Sequence, residues 1–174
     1  SDPNLNAQGR IQVGELIDQL RSENIGAVYT SDLQRAQQTA LALATAFRVE
    51  CHPRAALREI DFGHWEGLRW EEIERQDADY ARRWIAGYPN LPAPDGESFD
   101  SFERRVFEEV NFLVGKTEDT DCSIAVVTHA GVLRSVLRIL HGCSQEDAWE
   151  RTRSYCSLVR YPTPALVKTV EYEQ

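Results

Sequence analysis

The feature that most constrains this chain is the run Ile124-Ala-Val-Val-Thr-His129-Ala-Gly131-Val-Leu-Arg134. Its first half is continuously apolar, which fits a strand buried on both faces, as in a parallel sheet. His129, Ala130 and Gly131 form a turn, after which Val132, Val136, Leu137 and Leu140 recur at helical spacing. Parallel sheets bind ligands beyond the carboxyl ends of their strands, where a helix N-terminus offers N–H groups. His129 occupies that position, and the small Ala130 and Gly131 let an anion approach the backbone. Taken alone, a histidine here reads more simply as the cap of a strand end. A second unit of the same design upstream shifts the weight toward a ligand.

That second unit is the strand Ala27–Thr30, followed by a helix that Ser31 or Asp32 is expected to cap and that runs to about Phe47. Ala36, Ala40, Leu43 and Ala44 form its inward face. Arg35 falls in the first turn, where a guanidinium adds a bidentate fork to the anion-attracting helix end. Its alternative is a surface salt bridge.

The rest of the chain alternates in the same manner. Asn6 is expected to cap a helix with Val13, Leu16, Ile17 and Leu20 on one face, ended by Asn24 and Gly26. Val49–His52 reads as a strand stopped by Pro53, and residues 57–70 as an irregular segment rich in aromatics and glycine. One charged helix is expected from Glu71 to about Ala86. A proline-rich loop follows from Pro89 to Pro94, and then a long helix capped by Ser98, striped by Phe99, Phe102, Val106, Val110 and Leu113. Ser144 caps a short helix through Trp149, and residues 157–161 and 165–172 read as two closing strands. This alternation predicts an α/β fold in three layers, a mostly parallel sheet with helices on both faces, in a single domain over residues 1–174.

Charge and cysteine content narrow the partners. A net charge of −9 argues against nucleic acid, whose binders carry a basic stripe. No apolar run approaches a membrane span. Cys51, Cys122, Cys143 and Cys156 show no Cys-x-x-Cys spacing and suit reduced thiols, so a cytoplasmic setting with no metal site is expected. No apolar stripe forces a dimer, which leaves monomer or homodimer open.

Glu59 adds a third chemical group. Its neighbours Leu57, Ile60 and Phe62 are apolar, and apolar surroundings favour a protonated carboxyl, the form that acts as a general acid. Its alternative is an ion pair with Arg58 or Arg54. An arginine, a histidine and a poised glutamate at strand ends fit a phosphoryl-transfer site.

Four motifs then carry a resemblance: Ser31-Asp-Leu-Gln-Arg35-Ala-Gln-Gln-Thr39, Leu57-Arg-Glu59-Ile-Asp-Phe-Gly63-His-Trp-Glu66-Gly67-Leu68, Gly96-Glu97-Ser98 and Thr128-His129-Ala-Gly131. In order and spacing, over nearly the whole chain, they resemble the histidine phosphatase superfamily with its phosphoglycerate-mutase-like fold. The resemblance implies that Arg35 and His129 contact the phosphoryl group, with the Ala130 N–H in the same pocket, and that Glu59 protonates the leaving group. It implies a metal-independent phosphomonoesterase acting on a small phosphorylated metabolite through a phosphohistidine, with no cofactor. The runners-up are a phosphoglycerate mutase and a catalytically dead phosphate-binding or scaffold protein. Compactness and the Phe62–Gly67 stretch look like the small phosphatases, with residues 64–98 as a cap over the site and Trp65, Trp70, Trp84 and Tyr88 as its aromatic lining or packing.

One departure is large. The family's nucleophile is the histidine of an Arg-His-Gly motif on the first strand, and these residues contain none. Asp2, Leu5 and Gly9 look like the segment that follows that motif. The first strand and its histidine are therefore expected upstream of Ser1, and the absence of any methionine agrees with this.

Overall fold

The computed structural model describes residues 2–117 and 120–162. Helix α1 (Ala7–Gln19) begins where Asn6 accepts a hydrogen bond from Gly9 N at 2.8 Å. It gives way to β1 (Ile25–Thr30), so Gly26 belongs to the strand rather than to the helix end; the chain has already re-extended at Ile25, which pairs with Ser123. Helix α2 (Gln34–Phe47) and strand β2 (Glu50–Pro53) follow. The segment to residue 69 is irregular apart from two 3₁₀ turns, Ala55–Leu57 and Gly63–Trp65.

The single helix expected from Glu71 is two helices, α3 (Trp70–Gln76) and α4 (Ala78–Gly87). Asp77 breaks it: its backbone leaves the helical region and its carboxylate caps Tyr80 N at 2.9 Å. An aspartate that bonds neighbouring backbone favours such a cap over a helix interior. Helix α5 (Phe99–Gly115) starts at Ser98, whose Oγ accepts from Ser101 N. Strand β3 (Ser123–Val127), α6 (Ala130–His141) and α7 (Gln145–Arg151), capped by Ser144, complete the described elements.

The sheet is parallel throughout, in the order β2-β1-β3. Side chains alternate across it. Val28, with Ala125 and Val127 beside it, faces Leu20, Ala40, Leu43 and Ala44 of the α1–α2 layer. Tyr29 and Ile124 face Phe102, Val106, Val110 and Val132 of the α5–α6 layer. Helices thus cover both faces, which gives the three expected layers.

Two further expectations fail. Strand β3 is not buried on both faces: Val126 is 39% exposed, because β3 borders the described sheet and pairs only with β1. Residues 157–162 form no strand, since nothing among the described residues pairs with them. Leu158 packs on the α1–α2 core and Arg160 Nε bonds Glu23 at 2.9 Å. The strand expected at 165–172 lies outside the described residues.

Trp65, Ile73, Ala81 and Ala93 form a third cluster between α3 and α4. Trp65 is its centre, edge-on to Trp70, Tyr80 and Trp84, so Trp65 is packing rather than lining. Tyr88 stays 45% exposed.

Candidate active site

The carboxyl ends of β1 and β3 bring Arg35 and His129 together. His129 is the N-cap residue of α6 and is 8% exposed. Its Nδ1 lies 3.2 Å from Arg35 Nη2 and its Nε2 lies 2.8 Å from Ser31 Oγ. A guanidinium only donates, so Nδ1 accepts; the ring proton then sits on Nε2 and is donated to Ser31. Burial, and then the positive charges of Arg35 and Arg105, push His129 down to about 4 from the usual 6.5. The ring is neutral at physiological pH.

Glu59 reaches the same helix end from the irregular segment. Its Oε2 accepts from Gly131 N at 3.0 Å and its Oε1 from Ile60 N at 3.1 Å. Neither alternative partner of Glu59 is available to it. Arg58 holds Asp32 through a fork of two 2.6 Å bonds, and Arg54 holds the buried Glu109. The Arg58 guanidinium keeps the Asp32 carboxyl below its ordinary range. The missing side chain of Gly131 leaves room for this placement of Glu59: a Cβ there would overlap Glu59 Oε1 and stand 3.0 Å from its carboxyl carbon, so the carboxylate would have to move. Ala130 opens α6, and its N–H belongs to the first turn, which has no intrahelical acceptor.

Neither Ser31 nor Asp32 caps helix α2. Leu33 holds the N-cap position and gives no side-chain bond. Ser31 is drawn to His129 and Asp32 to Arg58, and the α2 terminus is served instead by Asp2, whose Oδ1 accepts from Gln34 N at 2.7 Å. Asp2 also stands 3.9 Å from Arg35 Nη1.

Arg105 and Glu97 received no role from sequence. Arg105 Nε and Nη2 bond Glu97 at 2.7 and 2.8 Å. Its Nη1 bonds the carbonyls of Ala56 and Arg58, and its Nη2 also bonds the carbonyl of Glu59 at 3.1 Å. The backbone that carries Glu59 is thereby pinned to α5. The available signal was Glu97 beside the Ser98 cap with an arginine about two helical turns on. Glu59, Asp61, Glu97 and Arg105 line an open cleft of about 450 Å³.

The other histidines stand elsewhere. His52 lies 3.6 Å from Glu50, His64 lies 3.1 Å from Asp95, and His141 packs on Tyr161. Among the described residues no cluster of His, Cys, Asp and Glu is arranged to hold a metal, and no helix is long and apolar enough to cross a membrane.

Residues 1–164 match the histidine phosphatase superfamily (branch 1). A bifunctional protein of Mycobacterium tuberculosis is 37% identical over 139 residues, 79% of this chain, and the chain spans 37% of that relative's length. Phosphoserine phosphatase 1 of Hydrogenobacter thermophilus is 30% identical over 151 residues, 85% of this chain and 69% of the relative. Among solved structures, Bacillus stearothermophilus YhfR superposes with a TM-score of 0.73 at 29% identity, over 85% of this chain and 72% of that one. The α-ribazole phosphatase of Shigella flexneri gives 0.74 at 24% identity, over 86% and 73%, which speaks for the fold alone.

Proposed function

Because the chain belongs to the histidine phosphatase superfamily, we propose that it is the acid and phosphoryl-binding part of a metal-independent phosphomonoesterase acting on a small phosphorylated metabolite. The observation that carries this reading is the convergence of Arg35, His129 and the Glu59 carboxylate on the N-terminus of α6. The phosphatase relatives support the reaction class. Cysteine spacing supports a cytoplasmic setting.

In this reading the phosphoryl oxygens take the Arg35 fork, His129 and the Ala130 N–H, which offset charge that grows in the transition state. A histidine of a strand outside these residues attacks phosphorus in line. The ester P–O bond breaks, and Glu59 gives its proton to the leaving oxygen. Glu59 then takes a proton from the water that attacks the phosphohistidine, which releases phosphate. The edge of β3 that no described strand covers supports a place for the nucleophile's strand. Residues 64–98, with Tyr88 exposed, serve as the cap over the leaving group.

The 174 residues alone are expected to hydrolyse no phosphate monoester, and hydrolysis of p-nitrophenyl phosphate by them would refute the assignment of the nucleophile. In the protein that carries the nucleophile's strand, Glu59→Gln should slow single-turnover hydrolysis of alkyl phosphates by about 10²–10⁴-fold. The same variant should slow p-nitrophenyl phosphate much less, since nitrophenolate leaves without a proton. Equal losses for the two esters would remove Glu59 from the acid role.

A further inference from the structure

Ser31 is fully buried, and its hydroxyl receives two donors: His129 Nε2 at 2.8 Å and Leu33 N at 3.3 Å. Its position is fixed by the end of β1, where Ser31 N bonds the Val127 carbonyl of the neighbouring strand at 3.0 Å. The hydroxyl is therefore an acceptor held in place by the sheet, and it faces the ring nitrogen that points away from Arg35. The other nitrogen, Nδ1, offers a lone pair to a guanidinium. In that state His129 has nothing to donate toward an anion that comes to Arg35.

We infer that Ser31 is the positioning residue for His129: it keeps the ring proton on Nε2, so that an oxyanion entering beside Arg35 is received by Nδ1 only with uptake of a proton from solvent. The inference rests on the reading of Arg35 and His129 as the phosphoryl site. The balance is simple. The neutral ring gains a proton at Nδ1 and becomes a cation that donates from both nitrogens, Nε2 to Ser31 and Nδ1 to the anion. Ser31 accepts in both states, so the ring need not turn.

The groups around the ring set the sign. Arg35 of α2 and Arg105 of α5 oppose its protonation, while Asp2 of the N-terminal segment and Asp32 of the β1–α2 turn favour it. Glu59 stands at the same end of α6, on Gly131 N. An anion placed against Arg35 neutralises the nearest opposing charge and adds a favourable one. With burial, the present balance holds the empty ring down to about 4. Binding thus draws in a proton across the range between that value and the raised value of the complex.

Sulfate tests this on the 174-residue chain, because it keeps its charge where phosphate titrates. Calorimetry in buffers of different ionisation enthalpy, between about pH 5 and 7, should show uptake that rises toward a single proton per sulfate. Nitrogen-15 spectra should show Nδ1 bare in the empty protein and protonated with sulfate. Ser31→Ala should weaken sulfate binding several-fold, with Ser31→Thr, which keeps the hydroxyl, nearer the parent. The parent's calorimetry and spectra stand even where a Ser31 variant does not fold. Sulfate binding that depends on Arg35 but takes up no proton, or an empty ring already protonated at Nδ1, overturns the inference and leaves the site intact. Sulfate binding that is absent, or unaffected by Arg35→Ala, overturns the phosphoryl site and the inference with it.

Discussion

Helix α2 follows the central strand β1, helix α6 follows the border strand β3, and both begin without a cap from their own sequence. Leu33 and His129 hold the N-cap positions with no side-chain bond to the helix, and neither first turn contains an acid. Each terminus is served by a carboxylate from far away in the chain: Asp2 bonds Gln34 N, and Glu59 bonds Gly131 N. The two helices differ at their second residue. In α2 it is Arg35, a long cation that reaches out to His129; in α6 it is Gly131, whose missing side chain lets Glu59 in. Two similar strand-turn-helix units thus divide the work. In the proposed reaction one would hold the anion, and the other would seat the proton donor beside His129.

The largest test of that division replaces Gly131. A Cβ there overlaps Glu59 Oε1, so Gly131→Ala should displace the carboxylate. In the protein with its nucleophile, alkyl-phosphate hydrolysis should fall by about 10²-fold or more, with much less loss on p-nitrophenyl phosphate. It should add little to Glu59→Gln. An additive loss would mean that α6 needs the glycine for something other than Glu59.

The second test concerns charge beside the neutral histidine. His129 titrates near 4 when folded and near 6.5 otherwise. As pH falls the unfolded chain binds this proton first, so the stabilisation is complete above about 6.5 and is lost between there and about 4. The loss amounts to about 3 kcal/mol. Urea titrations above and below that window should show it in the parent and not in His129→Gln. Parallel pH dependence in the two proteins would mean that the ring is not held neutral.

The smallest effect belongs to α2. Asp2→Ala removes the carboxylate from Gln34 N and should cost about 1 kcal/mol of stability, as for other caps. Thermal or urea unfolding measures it. A loss well above that would show that Asp2 supports Arg35 as well as the helix.

Much of this arrangement was legible in the residues. Apolar spacing located α1, α2, α5 and α6, and the alternation of strands and helices implied parallel pairing with covered faces. Arg35, Glu59 and His129 stood out because their side-chain chemistry and their places at strand ends are local properties. The break at Asp77 was equally local and was missed because a capping aspartate looks like one more charge on a charged helix. The exposure of β3 was not legible, since an apolar run says nothing of which strands lie beside it.

The sequence by itself determined which segments are amphipathic, where helices can start and which side chains can carry charge or a proton. Those are set within a few residues by backbone preference and periodicity. Tertiary structure alone decided the partners. Ser31 serves His129 instead of α2, Asp32 takes Arg58 away from Glu59, and Arg105 pins the backbone of residues 56–59 from another layer. These choices join residues tens of positions apart, because a buried polar group must be paired and its partner is whichever donor or acceptor the packed layers bring within reach.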